Sequence, residues 1–290
     1  MKLILPMDED ILPPSDDYIF KALLTGPKSK PALMGLISAV IGRKVSDIVI
    51  RNNELPKKHT EEKGERLDVN CTIDDGSQVN VEMQGSAIAG PEGGRLNLVN
   101  KSVYYLADMH STQSAIGVDY ADMVRSYQIT FSAHNIFNWP EFCTEASLRG
   151  SNGKEISDQI NLVIIELGKL GGVLKKPVEQ MTMLERWSAF LGYANDPEQR
   201  ETINKVLASE EELTVAGHEL MAISQSEDQR AKFRSRRKYE TDMSTNYITG
   251  KKEGRAEEKK EVASNLKHLG LSVDKIAQAT GLPIDVIEKM

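Results

Sequence analysis

Residues 66–84 read RLDVNCTIDDGSQVNVEMQ, and this stretch decides the fold. Two alternating runs flank Asp74-Asp75-Gly76. In the first, Leu67, Val69, Cys71 and Ile73 face one way, and Arg66, Asp68, Asn70 and Thr72 the other. In the second, Val79, Val81 and Met83 alternate with Asn80, Glu82 and Gln84. Alternation of period two marks a half-buried strand, so the stretch predicts strands over 66–73 and 78–84 joined by a hairpin. A three-residue loop pairs Cys71 with Val79, Val69 with Val81 and Leu67 with Met83, and every apolar residue lands on one face. A two-residue loop would slip the register by one and bury Gln84 beside Leu67. The hydrophobic pattern therefore selects the three-residue loop, with Gly76 in the left-handed position.

That register sets Asp68 across from Glu82 and Arg66 across from Gln84. Directly opposed residues have Cβ atoms ~5 Å apart, so two carboxylates meet on the polar face. Like charges this close repel unless a positive group lies between them. A hard divalent cation held by carboxylate oxygens answers the requirement, and a solvent-exposed polar face is the plain alternative. Mg²⁺ suits, or Mn²⁺, because such an ion keeps water in its shell and leaves positions for a phosphate and a nucleophile.

Working outward, Ser15 or Asp16 can cap a helix carrying Ile19, Phe20, Leu23 and Leu24, which Gly26-Pro27 ends. A second helix spans Pro31 to Ile41 and stops at Gly42. Val45 to Ile50 reads as a short strand, 56–65 as a charged loop, Leu96 to Ile116 as a helix. Val124 to Phe131 and Asn161 to Leu167 are two more strands, the latter almost continuously apolar, as a buried central strand is. Residues 1–14 read as a loose lead-in. The order α-α-β-β-β-α-β-β predicts an α/β layout, a mixed sheet flanked by helices. Residues 1–177 form this core, 178–249 a helical extension with Trp187, Phe190 and Leu191 as core candidates, and 250–290 a charged linker with a small helical hairpin.

Composition narrows the function. The chain has 290 residues, 36 Lys and Arg against 43 Asp and Glu, and a net charge of −7. That excludes a wholly basic, histone-like binder but not a local basic patch. Cys71 and Cys143 are the only cysteines, and no zinc spacing occurs. The acidic start lacks the form of a signal peptide, and no run approaches the ~20 apolar residues of a membrane span. The expectation is a soluble cytoplasmic protein that does not bind membranes. No phosphate-binding glycine loop and no nucleophile elbow occurs, so nucleotide use and serine catalysis are unsupported.

Asp68, followed by Glu82-Met83-Gln84 after a short hairpin, resembles the PD-(D/E)XK nuclease superfamily pattern, in which an acid precedes acid-x-Lys on the next strand. More narrowly, the chain resembles the Rpn family of recombination-promoting nucleases and transposases. The matching pieces are Asp17-Tyr18-Ile19-Phe20-Lys21, Arg66-Leu67-Asp68-Val69, Val81-Glu82-Met83-Gln84, Lys101-Ser102-Val103-Tyr104-Tyr105, Gly117-Val118-Asp119-Tyr120 and Gly250-Lys251-Lys252-Glu253-Gly254. The resemblance implies a restriction-endonuclease-like core and metal-dependent hydrolysis of DNA phosphodiesters in recombination or transposition. Asp68 and Glu82 match the metal-binding acids, and Asp17 the acid of the first helix. Gln84 stands where the wider superfamily has lysine. Glutamine hydrogen-bonds but carries no charge, and Lys101 or Arg66 could restore one. The alternative is a nuclease fold that has lost turnover and binds DNA or a protein partner. Two cuts across a duplex would favour a homo-oligomer.

Arg230 to Lys238 is the most basic window; Arg230, Arg234, Arg236 and Arg237 could track a DNA backbone, and with Phe233 as the one interleaved aromatic the window reads equally as a solvated helix face. In the tail, Ile276, Ala277 and Ile287 have helical-hairpin spacing, with Gly281 at the turn. Its second helix offers mainly acids, so it reads as a packing or protein-interaction hairpin rather than a reader of DNA bases. One of Tyr104 and Tyr105 should be core and the other free to reach a phosphate. His110 and His134 stand isolated.

Overall fold

The computed structural model describes residues 3–51, 69–85, 91–114 and 119–290, the side chains of 91–95 aside. Strands β2 (Val69–Ile73) and β3 (Gln78–Gln84) form the expected hairpin, with Val69 opposite Val81 and Cys71 opposite Val79. The Ile73 N–H donates to the Ser77 carbonyl at 3.0 Å, and Gly76 turns the loop with φ +85°. The three-residue loop and its register are thus as the hydrophobic pattern requires. Arg66, Leu67 and Asp68 lie outside the described residues, as do 56–65.

β1 (Ile48–Ile50) pairs with β2, and β4 (Ser126–Ser132) runs parallel to β3. A parallel neighbour requires a crossover, and helix α3 (Pro91–Ser111) supplies it. β6 (Glu155–Glu166) runs parallel to β4, and β5 (Cys143–Arg149) closes the far edge antiparallel to β6. The order is β1-β2-β3-β4-β6-β5, a mixed sheet with helices on its faces. β5 is a correction to the expected element order, and β6 begins six residues earlier than its apolar run suggests. The reason is common to both. Residues 155–159 reach beyond the end of β4, and their strand pairing is with β5 alone, itself a largely exposed edge. Neither segment is packed on both sides, so neither carries the apolar pattern that betrays a strand.

The sheet has two unlike faces. Val69, Cys71, Val79, Val81, Met83, Ile129, Phe131, Val163 and Ile165 point to one and are buried. Helix α1 (Asp17–Thr25) packs there on β2 and β3, and Phe20 meets Phe131 with ring centroids 6.0 Å apart. Asp16 caps α1 by accepting from the N–H groups of Tyr18 and Ile19. Helix α2 (Lys30–Ile41) ends at Gly42 in the left-handed conformation. Helices α4 (Met183–Tyr193), α5 (Arg200–Leu207) and α6 (Glu211–Gln225) continue this layer, α4 and α6 against α2 and α6 also against α1. Trp187, Phe190 and Leu191 are buried in it.

The segment before α1 is no loose lead-in. Leu5, Ile11 and Leu12 are buried. The Asn204 amide clasps Leu5, accepting from its N–H at 2.9 Å and donating to its carbonyl at 2.8 Å. Ser224 Oγ accepts from the Leu12 N–H at 3.0 Å. These partners lie about two hundred positions downstream, beyond the reach of any local pattern.

The chain divides into two compact units, Met1–Arg230 and Ala231–Met290. Helix α7 (Glu227–His268) begins in the first and runs on into the second. In the second, α8 (Val273–Thr280) and α9 (Ile284–Glu288) join at left-handed Gly281 and bury Ile276 and Ile287 against Ala263 of α7. No described helix is long and apolar enough to cross a membrane.

The hairpin tip is fastened to the chain after α2. Asp74 accepts from the Ser46 N–H and hydroxyl, both at 2.7 Å, and from Arg43 at 2.8 Å. The Ser46 bonds first, then Arg43, hold its carboxyl below the usual carboxylate range. A lowered folded-state value stabilises the fold fully above the unfolded-chain value of ~3.9, and the gain is lost as pH falls toward the folded one. Asp74→Ala should therefore lower the thermal midpoint at neutral pH, with the gap from wild type closing in strong acid. Thermal unfolding of both proteins across that range checks it.

Candidate active site

The second face of the sheet is polar and buried. On β3, Asn80, Glu82 and Gln84 point away from the apolar core, and β4 sets Gln128, Thr130 and Ser132 in register beside them. Asn80, Glu82, Gln128, Thr130 and Ser132 are all nearly inaccessible. A polar group withdrawn from water needs hydrogen bonds in exchange. Asn80 donates to Gln128 Oε1 at 2.8 Å, and Gln128 Nε2 donates to Glu82 Oε2 at 3.3 Å and to Thr130 Oγ1 at 3.2 Å. Gln128 thus ties the strands together through their side chains.

Helix α3 covers this face and carries the complementary groups. Ser102 Oγ lies 3.2 Å from Thr130 Oγ1, and His110 Nδ1 3.1 Å from Ser126 Oγ. Burial pushes the His110 imidazole below its usual value, which favours the neutral ring in this structural contact. Lys101 sets its ammonium 3.4 Å from Glu82 Oε1. Tyr105, one turn on, is buried and lies beneath that ammonium, 5.2 Å from ring centroid to nitrogen. Helical spacing i, i+4 brings the pair together, and the ring face attracts the cation. Tyr104 is exposed, so the two tyrosines divide as expected. Glu82 is 4% exposed, not part of an open polar surface, while Lys101 keeps a path to solvent at 42%.

Asp17 arrives from a different element. Gly85 follows β3, and a Cβ there would fall 2.4 Å from the Ser15 carbonyl oxygen, 3.2 Å from Asp16 Cα and 3.4 Å from Asp17 N. Only a glycine lets the chain leaving Gln84 press against the start of α1. Asp17 is thereby held at the end of β3, the end that carries Glu82 and Gln84. The structure therefore brings Glu82, Gln84, Lys101 and Asp17 to one end of one strand.

The remaining expected residues fall elsewhere. Asp68 and Arg66 are outside the described residues; the last described pair, Val69 with Val81, is the one adjoining them. Arg230 is committed to structure. It bonds the Asp10 side chain at 2.7 Å, the Asp10 carbonyl and the Ser224 carbonyl, fixing the start of α7 to the N-terminal segment. Arg234, Arg236 and Arg237 lie further along α7, in the second unit. Gln128, Thr130 and Ser102 were missed. The alternation of Ser126, Gln128, Thr130 and Ser132 with Tyr127, Ile129 and Phe131 carried the signal. Alternation alone predicts a strand, and only the parallel pairing with β3 turns it into a second polar row beside the first.

Among the described residues, the polar face of β3 presents the Glu82 carboxylate and the side-chain carbonyls of Asn80 and Gln84, and Asp17 at the end of the strand brings a second carboxylate. Asn80 Oδ1 is buried without a hydrogen-bond partner among the described residues. Cys71 points to the opposite face, where burial pushes its thiol up to about 12. Among the described residues these oxygens stand without a thiolate or imidazole beside them, a set that fits a hard divalent cation. No cluster of three or more metal-ligating side chains occurs among the described residues.

A family profile described as PD-(D/E)XK nuclease family transposase matches residues 14–250. The chain belongs to that family, a family of nuclease-type hydrolases, and the mixed sheet with flanking helices agrees with its restriction-endonuclease-like α/β fold. No curated protein and no solved structure matches the chain.

Gly85→Ala should destabilise the protein by about 1–3 kcal/mol, the usual result of forcing an added carbon into a closed contact. Denaturant unfolding measures it. Alanine at exposed Gly171, where an added carbon meets nothing within 4 Å, should change stability far less.

Proposed function

With that family membership as premise, we propose that the protein is a divalent-metal-dependent DNA endonuclease serving recombination or transposition. The observation that carries this reading is the buried Glu82 carboxylate with the Lys101 ammonium 3.4 Å away, at the strand end where Gly85 meets Asp17. Asp68, which directly precedes Val69 in the chain, and Glu82 would hold Mg²⁺ or Mn²⁺. When bound, such an ion polarises a phosphoryl oxygen and makes a water acidic enough to attack.

The chain's own groups have separate tasks. Lys101 supplies the positive charge that Gln84 lacks. Its partly exposed ammonium can hydrogen-bond a phosphoryl oxygen as negative charge builds there. Tyr105 keeps that ammonium over the sheet. The Gln84 amide orients a water or a phosphate oxygen by hydrogen bonding. Gln128, which also donates to Thr130, fixes the Glu82 carboxylate, and Asp17 adds a further oxygen donor at the same end. DNA is the proposed substrate and partner. Cutting both strands calls for two copies of the chain or two successive encounters.

Purified protein should nick supercoiled plasmid with Mg²⁺ or Mn²⁺ and not with EDTA. Asp68→Ala and Glu82→Gln should abolish nicking. Equal activity of these variants and wild type would refute the assignment. Wild-type inactivity on duplex, single-stranded DNA and RNA, with a metal-dependent rise in thermal midpoint, would favour the binding module.

Lys101→Met should lower the cleavage rate by about 10²- to 10³-fold, the usual effect of losing one transition-state donor. Lys101→Arg should retain part of the rate. A rate unchanged in Lys101→Met would leave the lysine a surface cation.

A further inference from the structure

The loop after β4 leaves the sheet beside the candidate site. The Ala133 N–H donates to the Gln84 carbonyl at 3.1 Å, and Gln84, Ser132 and Glu166 occupy one register row across β3, β4 and β6. Two strand spacings separate Gln84 from Glu166, roughly 10 Å. A short length of extended nucleic-acid strand spans that interval.

Along this loop Phe137 and Trp139 stack, with centroids 4.2 Å apart and planes inclined by 9°. Trp139 is 42% exposed, and its indole N–H donates to Thr144 Oγ1 at 3.1 Å. One ring face is covered by Phe137 and the ring edge is tethered, so the plane is set in advance.

The loop is also anchored from below. The fully buried Glu166 carboxylate accepts from the Ile136 N–H at 2.5 Å, the Phe137 N–H at 3.0 Å and Lys169 Nζ at 2.6 Å. Asn135, Asn138 and Pro140 join the two rings and Lys169 around an open cavity of about 620 Å³.

The chemistry of this cavity selects its occupant. Its cation, Lys169, is already neutralised by Glu166, so the cavity offers no surplus charge to a phosphate. It does offer a rigid aromatic plane and, in Asn135 and Asn138, amides able to pair with a heterocycle edge. A flat, uncharged ring with hydrogen-bonding edges matches both. We propose that Trp139 is a stacking platform for an unpaired nucleobase near the phosphate cleaved at the β3 site. This rests on the nuclease reading and adds a substrate preference. A base in continuous duplex is already stacked on its neighbours. The platform therefore favours single-stranded, gapped or frayed nucleic acid.

Binding tests this apart from turnover. The chain has two tryptophans, and Trp187 is fully buried, so quenching on ligand addition reports Trp139. Short single-stranded DNA is titrated into the full-length protein in EDTA, and affinity is read in parallel by anisotropy of labelled DNA. Wild-type fluorescence should fall on binding. Trp139→Ala should bind about 5- to 100-fold more weakly, the range for loss of one base–aromatic stack. Trp139→Phe should recover most of that affinity, and intact duplex should compete poorly. Absence of wild-type quenching overturns the proposal, as does equal affinity of Trp139→Ala at an unchanged thermal midpoint. Failure of metal-dependent cleavage would overturn the nuclease reading while leaving these binding outcomes to stand or fall by themselves.

Discussion

Burial of the Glu82 carboxylate is the constraint on which the rest of the structure turns. An ionised carboxylate cannot be withdrawn from water without hydrogen bonds or an opposite charge. Here Gln128 provides the first and Lys101 the second, from a neighbouring strand and from the helix above. Each provider constrains its own element. Gln128 must sit in register with Asn80, which sets β4 parallel to β3 without a slip. Lys101 must face the sheet, which sets the rotation of α3, and Ser102 and His110 then meet Thr130 and Ser126 on the same helix side. The site and the crossover are one arrangement, not a fold with a site added.

The opposite face answers a simpler demand. Its residues are apolar, and any well-packed helix layer satisfies them. α1 does so, with α2 and α6 packed against α1 and α4 against α2. The two faces are joined at Gly85, where the chain leaving the polar face touches the first turn of α1. That contact carries Asp17 from the apolar layer to the end of the sheet that holds Glu82 and Gln84. A single missing Cβ is what permits it.

The hairpin was legible because alternation of period two admits one register that buries every apolar side chain, and Gly76 allows the loop which that register needs. The candidate acids Asp68 and Glu82 followed from the same register, and Asp17 and Lys101 came from comparison with a family pattern. β5, the early part of β6 and the strapping of the N-terminal segment were not legible. β5 and residues 155–159 lack the two-sided burial that writes a pattern into sequence. Leu5 and Leu12 depend on Asn204 and Ser224, whose nearness is a product of the finished fold. Arg230 shows the converse. It stands in the most basic window of the chain, yet Asp10 and two carbonyls occupy it, which no count of charges could reveal.

By itself the sequence determined the strand pairing at the hairpin, its two unlike faces and the place of Glu82 on the polar one, because side-chain alternation and turn chemistry are local and act before any tertiary contact forms. Only the tertiary structure decided that the polar face is covered, that the ammonium beside Glu82 comes from α3, and that Phe137 and Trp139 stack on the loop after β4. These depend on where a crossover helix and a loop come to rest. That is settled by burial and charge pairing among residues far apart in the chain, which local spacing does not encode.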